Sequence, residues 1–132
     1  MINKSHFILY VEDQLKSSEF YQKLLNQDPI LNVPGMTEFK LTEYSVLGLM
    51  PSTGIKKLLE NKIDTSILSE GVVKSELYIL VDSLKEYIKR ATSLNVPILS
   101  SAQNRDWGHK VIYLLDPDNY VIAFAEIIDK TK

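Results

Sequence analysis

The chain has 132 residues, 45% of them hydrophobic, and a formal net charge of −2. This length suits one domain with a core of its own, and the balanced charge excludes the electrostatic footprint of a nucleic-acid-binding or membrane-surface protein. Without cysteine the chain forms no disulfide and no thiolate metal site. The apolar run at 7–11 is too short for a signal peptide or a membrane span, so we expect a cytoplasmic protein.

The first half of the chain contains signals for one helix and four strands. Residues 5–11 are apolar and aromatic without a breaker, which predicts a mostly buried strand. Asp13 can cap a helix over 14–26 whose apolar side chains share one face, and Pro29 cannot continue it. A turn is expected at 34–35, where proline precedes glycine. Three short strands should follow the helix, near 30–33, 37–42 and 45–50.

The same order of signals returns about seventy residues later. A second apolar run at 76–82 precedes residues 83–86 (SLKE), which have the spacing of a capping box and begin an amphipathic helix that ends near Asn95. A polar loop is expected at 101–108 and a hairpin turn at 116–119 (DPDN). Strands are expected at 97–100, 109–115 and 120–126.

The repeated order predicts an α+β fold made of two tandem βαβββ modules that form a cupped mixed sheet, as a single domain over 1–132. Module one covers about 1–51 and module two about 75–132. The linker between them, about 52–74, contains a short helical stripe formed by Ile55, Leu58, Leu59 and Ile63. Periodicity alone leaves an unrelated α+β sandwich as the alternative.

Motifs in three places carry a resemblance to a known family. HFILYVED at 6–13 is followed by Phe20-Tyr21, WGHKV stands at 107–111, and DPDNY stands at 116–120. Together these motifs resemble the vicinal-oxygen-chelate superfamily, which includes glyoxalase I, bleomycin-resistance proteins, fosfomycin-resistance enzymes and extradiol dioxygenases. The resemblance implies paired βαβββ modules, a ligand cup between them, and a homodimer.

The resemblance also raises the question of a metal. In metal-dependent members a divalent ion chelates adjacent substrate oxygens and stabilises an enolate or oxyanion. The resemblance places His6 at the first-strand ligand position and Glu76 at the matching position of module two, but the last-strand acid falls on Ala123. Glu126 should point to the opposite sheet face, and 46–50 contains no ligand side chain. Two candidate ligands where three or four are needed favour no metal and no other cofactor, with a divalent ion as the alternative.

Further candidates for ligand binding come from strands and from the polar loop. With His6 and Glu76, the candidate ligand-binding residues are Tyr10, Met50, Tyr78, Arg105, Trp107 and Tyr113. Trp107 can stack on a planar ligand, close a dimer contact or anchor the core. Arg105 can receive an anion or pair with Asp106. His6 and Glu76 can end their strands in solvent, or form a pair that acts as a base or grips a polar ligand.

Three functions compete at this point. The first is a metal-independent binding protein for a small, partly aromatic molecule, similar to bleomycin-resistance proteins. The second is a metal-dependent glyoxalase-type lyase or isomerase, similar to lactoylglutathione lyase, or a dioxygenase, with water completing the site of His6 and Glu76. The third is an interaction module without pocket chemistry. The expected partners are a small-molecule ligand and a second copy of the chain, with no nucleic acid and no membrane.

Overall fold

The structure is a computed structural model that describes residues 2–64 and 74–128. It divides into two compact units, Met1–Val72 and Val73–Lys132. The first unit contains β1 (Ser5–Val11), α1 (Gln14–Leu25), β2 (Leu31–Val33), β3 (Met36–Thr42), β4 (Ser45–Pro51) and α2 (Ser52–Leu58). The second contains β5 (Glu76–Leu80), α3 (Leu84–Ser93), β6 (Ile98–Asn104), β7 (His109–Leu115) and β8 (Val121–Ile127). The predicted α+β class with two βαβββ modules is confirmed.

Each unit has one four-stranded mixed sheet with the same connectivity. The strand orders are β1-β4-β3-β2 and β5-β8-β7-β6. The edge strands β1 and β5 run parallel to β4 and β8, and the other neighbours are antiparallel. In both sheets the last strand of the module therefore lies between the first strand and the third. The face of each sheet that points away from its helix, α1 or α3, is called the open face below.

Helix α1 begins and ends where local sequence signals place it. The Asp13 side chain accepts a hydrogen bond from the Lys16 backbone N–H at 3.0 Å, and Asn26 ends the helix in the left-handed conformation with φ 53°. Tyr21 is fully buried, and its ring lies 6.4 Å from that of Phe39 on β3. Phe39 pairs with Leu47 on β4, so these apolar side chains form the helix-facing core of the first unit.

A buried hydroxyl network joins α1 to β3. The Thr37 hydroxyl, fully buried, accepts hydrogen bonds from the Ser18 hydroxyl at 2.8 Å and from the Gln14 amide at 2.9 Å. It donates to the side-chain amide oxygen Oδ1 of Asn32 at 3.0 Å. The Gln14 side-chain oxygen also accepts from the backbone N–H of Gly35, whose φ of 97° fits the predicted proline–glycine turn. The network satisfies polar groups that would be costly to bury alone.

Helix α3 packs on the second sheet through Tyr87, whose ring lies 4.5 Å from that of Phe124 on β8. Ser83 occupies the N-cap position, but its side chain makes no capping hydrogen bond, so the predicted capping box is wrong. A glutamate from β8 takes over this task, because the Leu84 backbone N–H donates to the Glu126 carboxylate at 3.4 Å. Glu126 thus faces α3, as strand parity predicts.

A buried carboxylate stabilises the hairpin turn between β7 and β8 together with backbone hydrogen bonds between Asp116 and Tyr120 and between Asn119 and Asp116. Asp116, 4% exposed, accepts hydrogen bonds from the backbone N–H groups of Asp118 and Tyr120, both at 2.8 Å. Asn119 has the positive φ of 66° that this turn needs. The predicted DPDN hairpin is confirmed.

Several segments differ from the sequence prediction. The strand at 5–11 is exposed from Ser5 to Ile8 rather than mostly buried, because β1 is an edge strand and only its end lies in the core. Residues 101–104, predicted as loop, belong to β6, whose polar composition reflects a bulged edge strand. The linker stripe is helical only to Leu58, since Glu60 and Asn61 have positive φ. Part of the linker lies outside the described residues.

Within 2–64 and 74–128, none of the helices has the length and apolar character that crossing a membrane requires.

Candidate ligand-binding site

The open face of the first sheet contains three of the predicted site residues. Tyr10 pairs with Met50 across β1 and β4, so the two side chains are neighbours on this face. His6 Nδ1 lies 3.3 Å from the carboxylate of Glu38. Since β1 and β3 flank β4, this contact passes over β4 near Gly48, which pairs with both Ile8 and Glu38. The arrangement is a small polar pair beside an apolar strip.

The open face of the second sheet contains the other five predicted residues or holds them at its rim. The pairing register aligns one row across all four strands, consisting of Tyr78, Ala123, Tyr113 and Ser100. Glu76 lies two residues before Tyr78 on β5 and therefore shares this face. Small apolar side chains lie at and beside this row. Val111, Ala123 and Ala125 are fully buried, and Tyr113 packs against them.

Three side chains from separate elements form a hydrogen-bonded chain on this face. The Trp107 Nε1–H donates to the Tyr78 hydroxyl oxygen at 3.0 Å, and the same oxygen lies 2.7 Å from His109 Nδ1. A neutral imidazole that accepts at Nδ1 lets the Tyr78 hydroxyl donate to it, which satisfies all three groups. The contact between Tyr78 and His109 joins β5 to β7 over β8. His109 Nε2 then remains without a partner among the described residues.

Arg105 is held against the same face by the turn between β6 and β7. The turn closes through hydrogen bonds from the Arg105 N–H to the His109 carbonyl at 2.8 Å and from the Gly108 N–H to the Arg105 carbonyl at 3.2 Å. The guanidinium donates to the Ser100 hydroxyl at 2.8 Å, and its carbon lies 5.5 Å from the centre of the Tyr113 ring. The alternative of an ion pair with Asp106 is not formed in the described chain.

The charges of this face act on Tyr113. Burial raises the pKa of the Tyr113 phenol, the Glu76 carboxylate and Tyr78 add to that increase, and the Arg105 guanidinium opposes it. The neutral phenol is therefore favoured, and Glu76, Tyr78 and Arg105 all lie close enough to Tyr113 to influence its ionisation. Five of the eight predicted residues thus gather on one sheet face.

The raised pKa of Tyr113 predicts a loss of stability in alkaline solution. The unfolded chain releases this proton near the ordinary pKa of 10.0, whereas the folded chain keeps it to higher pH. The contribution to the free energy of unfolding is therefore complete below that pH and declines as the pH rises through the raised pKa. Denaturant unfolding measured across this range should show a steeper decline for the wild type than for Tyr113→Phe. Tyr44→Phe, at a tyrosine that is 65% exposed, should keep the wild-type slope; parallel profiles for wild type and Tyr113→Phe would refute the assignment.

Comparison with known proteins now decides the family. A family model described as a glyoxalase-like domain matches residues 5–129. The chain belongs to this glyoxalase-like family. The match confirms the resemblance to the vicinal-oxygen-chelate superfamily. No curated protein matches the sequence of the glyoxalase-like chain.

Solved structures with the same fold include several relatives of the glyoxalase-like chain. A glyoxalase/bleomycin resistance protein/dioxygenase family enzyme from Burkholderia phytofirmans PsJN has a TM-score of 0.77 at 18% identity, covering 93% of this chain and 97% of that one. A glyoxalase-related enzyme from Fulvimarina pelagi has a TM-score of 0.76 at 17% identity, covering 92% and 86%. A lactoylglutathione lyase from Agrobacterium tumefaciens has a TM-score of 0.69 at 19% identity, covering 92% and 90%. At these identities the likeness shows the fold alone.

The side chains within 2–64 and 74–128 do not assemble the ligand set of a tight divalent-metal site. Tight sites need three or four ligands, and no group of three or more His, Asp or Glu side chains in the described chain can hold an ion. The position of the expected acid is Ala123, which lies between Tyr78 and Tyr113 in the open-face row. Glu126 is turned to the other face by its bond to Leu84. The pairing of His6 with Glu76, which lie on different units, stays a prediction.

Sequence reasoning missed three residues of these faces. His109 belongs to the WGHKV motif, and its spacing of two and four residues from Val111 and Tyr113 puts all three on one face, which is a signal in the sequence. Ser100 lies within β6, where the polar composition of 101–104 predicts a loop, so its pairing with Tyr113 has no local signal. Glu38 carried no signal, since its contact with His6 depends on the pairing of both strands with β4.

Proposed function

We propose that this glyoxalase-like chain binds a small, planar organic molecule on the open face of the second sheet, as a metal-independent protein that sequesters or senses its ligand. The observation that supports the proposal is the chain of hydrogen bonds from Trp107 through Tyr78 to His109. Trp107 is 52% exposed and Tyr78 is 37% exposed, so both rings offer surface to a ligand. The hydrogen bonds of Trp107 and Tyr78 fix the orientation of these two partly exposed rings.

Rigid, exposed aromatic rings suit the recognition of flat molecules. Stacking on an aromatic ring stabilises a planar ligand, and fixing the ring before binding reduces the loss of side-chain freedom. The unpaired Nε2 of His109 adds a hydrogen-bonding group beside the rings. Apolar surface with a few fixed polar groups is typical of small-molecule sites.

We do not propose a metal-dependent lyase, although a lactoylglutathione lyase shares the fold. That chemistry needs a ligand set that the described side chains do not assemble. On β8 the position of the expected acid is Ala123, in the row between Tyr78 and Tyr113.

The proposal is tested by titrating flat aromatic compounds into the protein. Trp107 is the only tryptophan, so its fluorescence reports directly on this face, with calorimetry as the second measurement. We expect saturable binding of at least one compound among cinnamate, cinnamamide and nicotinamide. Tyr78→Phe should weaken that binding about two- to tenfold, because it removes one hydroxyl and both of its hydrogen bonds.

Tyr44→Phe is the matched control, since it removes a tyrosine hydroxyl from an exposed position in the first unit. Its affinity should equal that of the wild type. The proposal is wrong if no compound of the panel gives a saturable signal, or if every binder has the same affinity for wild type and Tyr78→Phe.

A further inference from the structure

Arg105 has more hydrogen-bonding capacity than the fold uses. A guanidinium has five N–H donors and stays charged at every ordinary pH. In the described chain its side chain makes one hydrogen bond, to the Ser100 hydroxyl, and no ion pair with a carboxylate. Its Nε–H is buried and has no acceptor among the described residues.

Arg105 lies beside the open face of the second sheet, so its unused N–H donors are close to the aromatic rings of that face. Arg105 and Trp107 belong to one closed turn, and His109 follows that turn as the first residue of β7. The guanidinium lies over Tyr113, which stands in the same row as Tyr78. One short hairpin therefore carries the Arg105 guanidinium, the Trp107 ring and the His109 imidazole. The Tyr78 ring lies beside them on β5.

From this arrangement we infer that the ligand is an aromatic monocarboxylate whose anionic group binds Arg105 while its ring lies against Trp107 and Tyr78. The inference rests on the proposed binding function and names its ligand class. A carboxylate matches the planar fork of arginine and forms charge-assisted hydrogen bonds with it. The terminal N–H groups of Arg105 that the described chain leaves unused can donate to such a carboxylate, while the buried Nε–H stays enclosed by the protein.

Glu76 limits the ligand to one negative charge. Glu76 lies on β5 two residues before Tyr78 and on the same face, whereas the Arg105 guanidinium lies by Ser100 and Tyr113 on β6 and β7, so the two opposite charges stand on different strands of this face. A second anionic group on the ligand that approaches this carboxylate would be repelled by it. The site therefore selects a monoanion over a dianion of the same size.

The experiment compares matched probes by calorimetry at low ionic strength. Cinnamate and cinnamamide have nearly the same shape and differ in charge, and terephthalate against benzoate tests the second charge. For the wild type we expect cinnamate to bind about tenfold or more tightly than cinnamamide, and benzoate more tightly than terephthalate. Arg105→Gln should remove most of the preference for cinnamate and leave the affinity for cinnamamide within about threefold.

Lys110→Gln is the matched control, because it removes the same charge from the same hairpin on the helix-facing side, where Lys110 lines a groove with Leu84 and Glu126. It should keep the wild-type preference. Arg105→Lys keeps the charge but not the fork, so it should give an intermediate preference if the fold is intact. Equal affinities of wild type for cinnamate and cinnamamide, or an unchanged preference in folded Arg105→Gln, overturn the inference. If cinnamamide still binds and Tyr78→Phe weakens it, the binding function stands without the anion; if neither probe binds, both fail.

Discussion

Replacing Phe124 with alanine is expected to lower the free energy of unfolding by about 3–5 kcal/mol. Phe124 is fully buried on β8, pairs with Ile112 of β7, and packs on the ring of Tyr87 from α3. The substitution removes apolar contacts and leaves a cavity that the sheet and helix cannot close completely. For a domain with a total stability of about 5–15 kcal/mol, this loss is a large fraction.

Denaturant unfolding followed by circular dichroism measures this loss. Phe7→Ala is the control, because Phe7 is 53% exposed and its truncation removes much less buried surface. We expect that control to cost about 1 kcal/mol. Similar losses for the two variants would contradict a helix-facing core centred on Phe124.

Replacing Asp116 with alanine is expected to cost about 2–4 kcal/mol, from the removal of an acceptor that satisfies two backbone N–H groups. These groups belong to Asp118, 7% exposed, and Tyr120, 6% exposed, so water cannot readily replace the carboxylate. The turn between β7 and β8 would lose both hydrogen bonds to the carboxylate and keep the backbone bonds from the Asp116 N–H to the Tyr120 carbonyl and from the Asn119 N–H to the Asp116 carbonyl. Because Tyr113 and Ala123 lie on these two strands, the open-face row depends on this turn.

The same unfolding measurement, with two further variants, tests the role of Asp116. Asp116→Asn keeps one acceptor oxygen and should lose less stability than the alanine variant. Asp106→Ala removes a carboxylate from an exposed position in the turn between β6 and β7, and it should change stability by less than about 0.5 kcal/mol. A neutral Asp116→Ala would show that the turn closes without its carboxylate.

The parts of the fold that sequence predicts are those set by neighbours along the chain. Asp13 and Asn26 mark the ends of α1 because capping and the left-handed conformation depend on a few adjacent residues. The proline–glycine turn at 34–35 and the turn at Asp116 follow for the same reason. The order of these local signals, repeated once, is sufficient to predict two βαβββ modules.

The parts that sequence misses depend on partners distant in the chain. Ser83 fails as a capping side chain because Glu126, which approaches only in the folded sheet, binds the helix instead. Residues 101–104 look like a loop because an edge strand can be polar on both faces. The contact between Tyr78 and His109 joins positions 31 residues apart, so neither residue indicates the other locally.

The contact between Tyr78 and His109 also has a mechanical consequence for β5. This strand has a single neighbour in its sheet, β8, and such edges are where folded proteins begin to open. The hydrogen bond ties β5 to β7 across that neighbour and so adds a second attachment for the edge. A ligand that holds Tyr78 in place favours the closed edge by mass action, and opening the edge dismantles the site. Ligand binding to the open face of the second sheet and fraying of β5 therefore oppose each other: more bound ligand means less fraying.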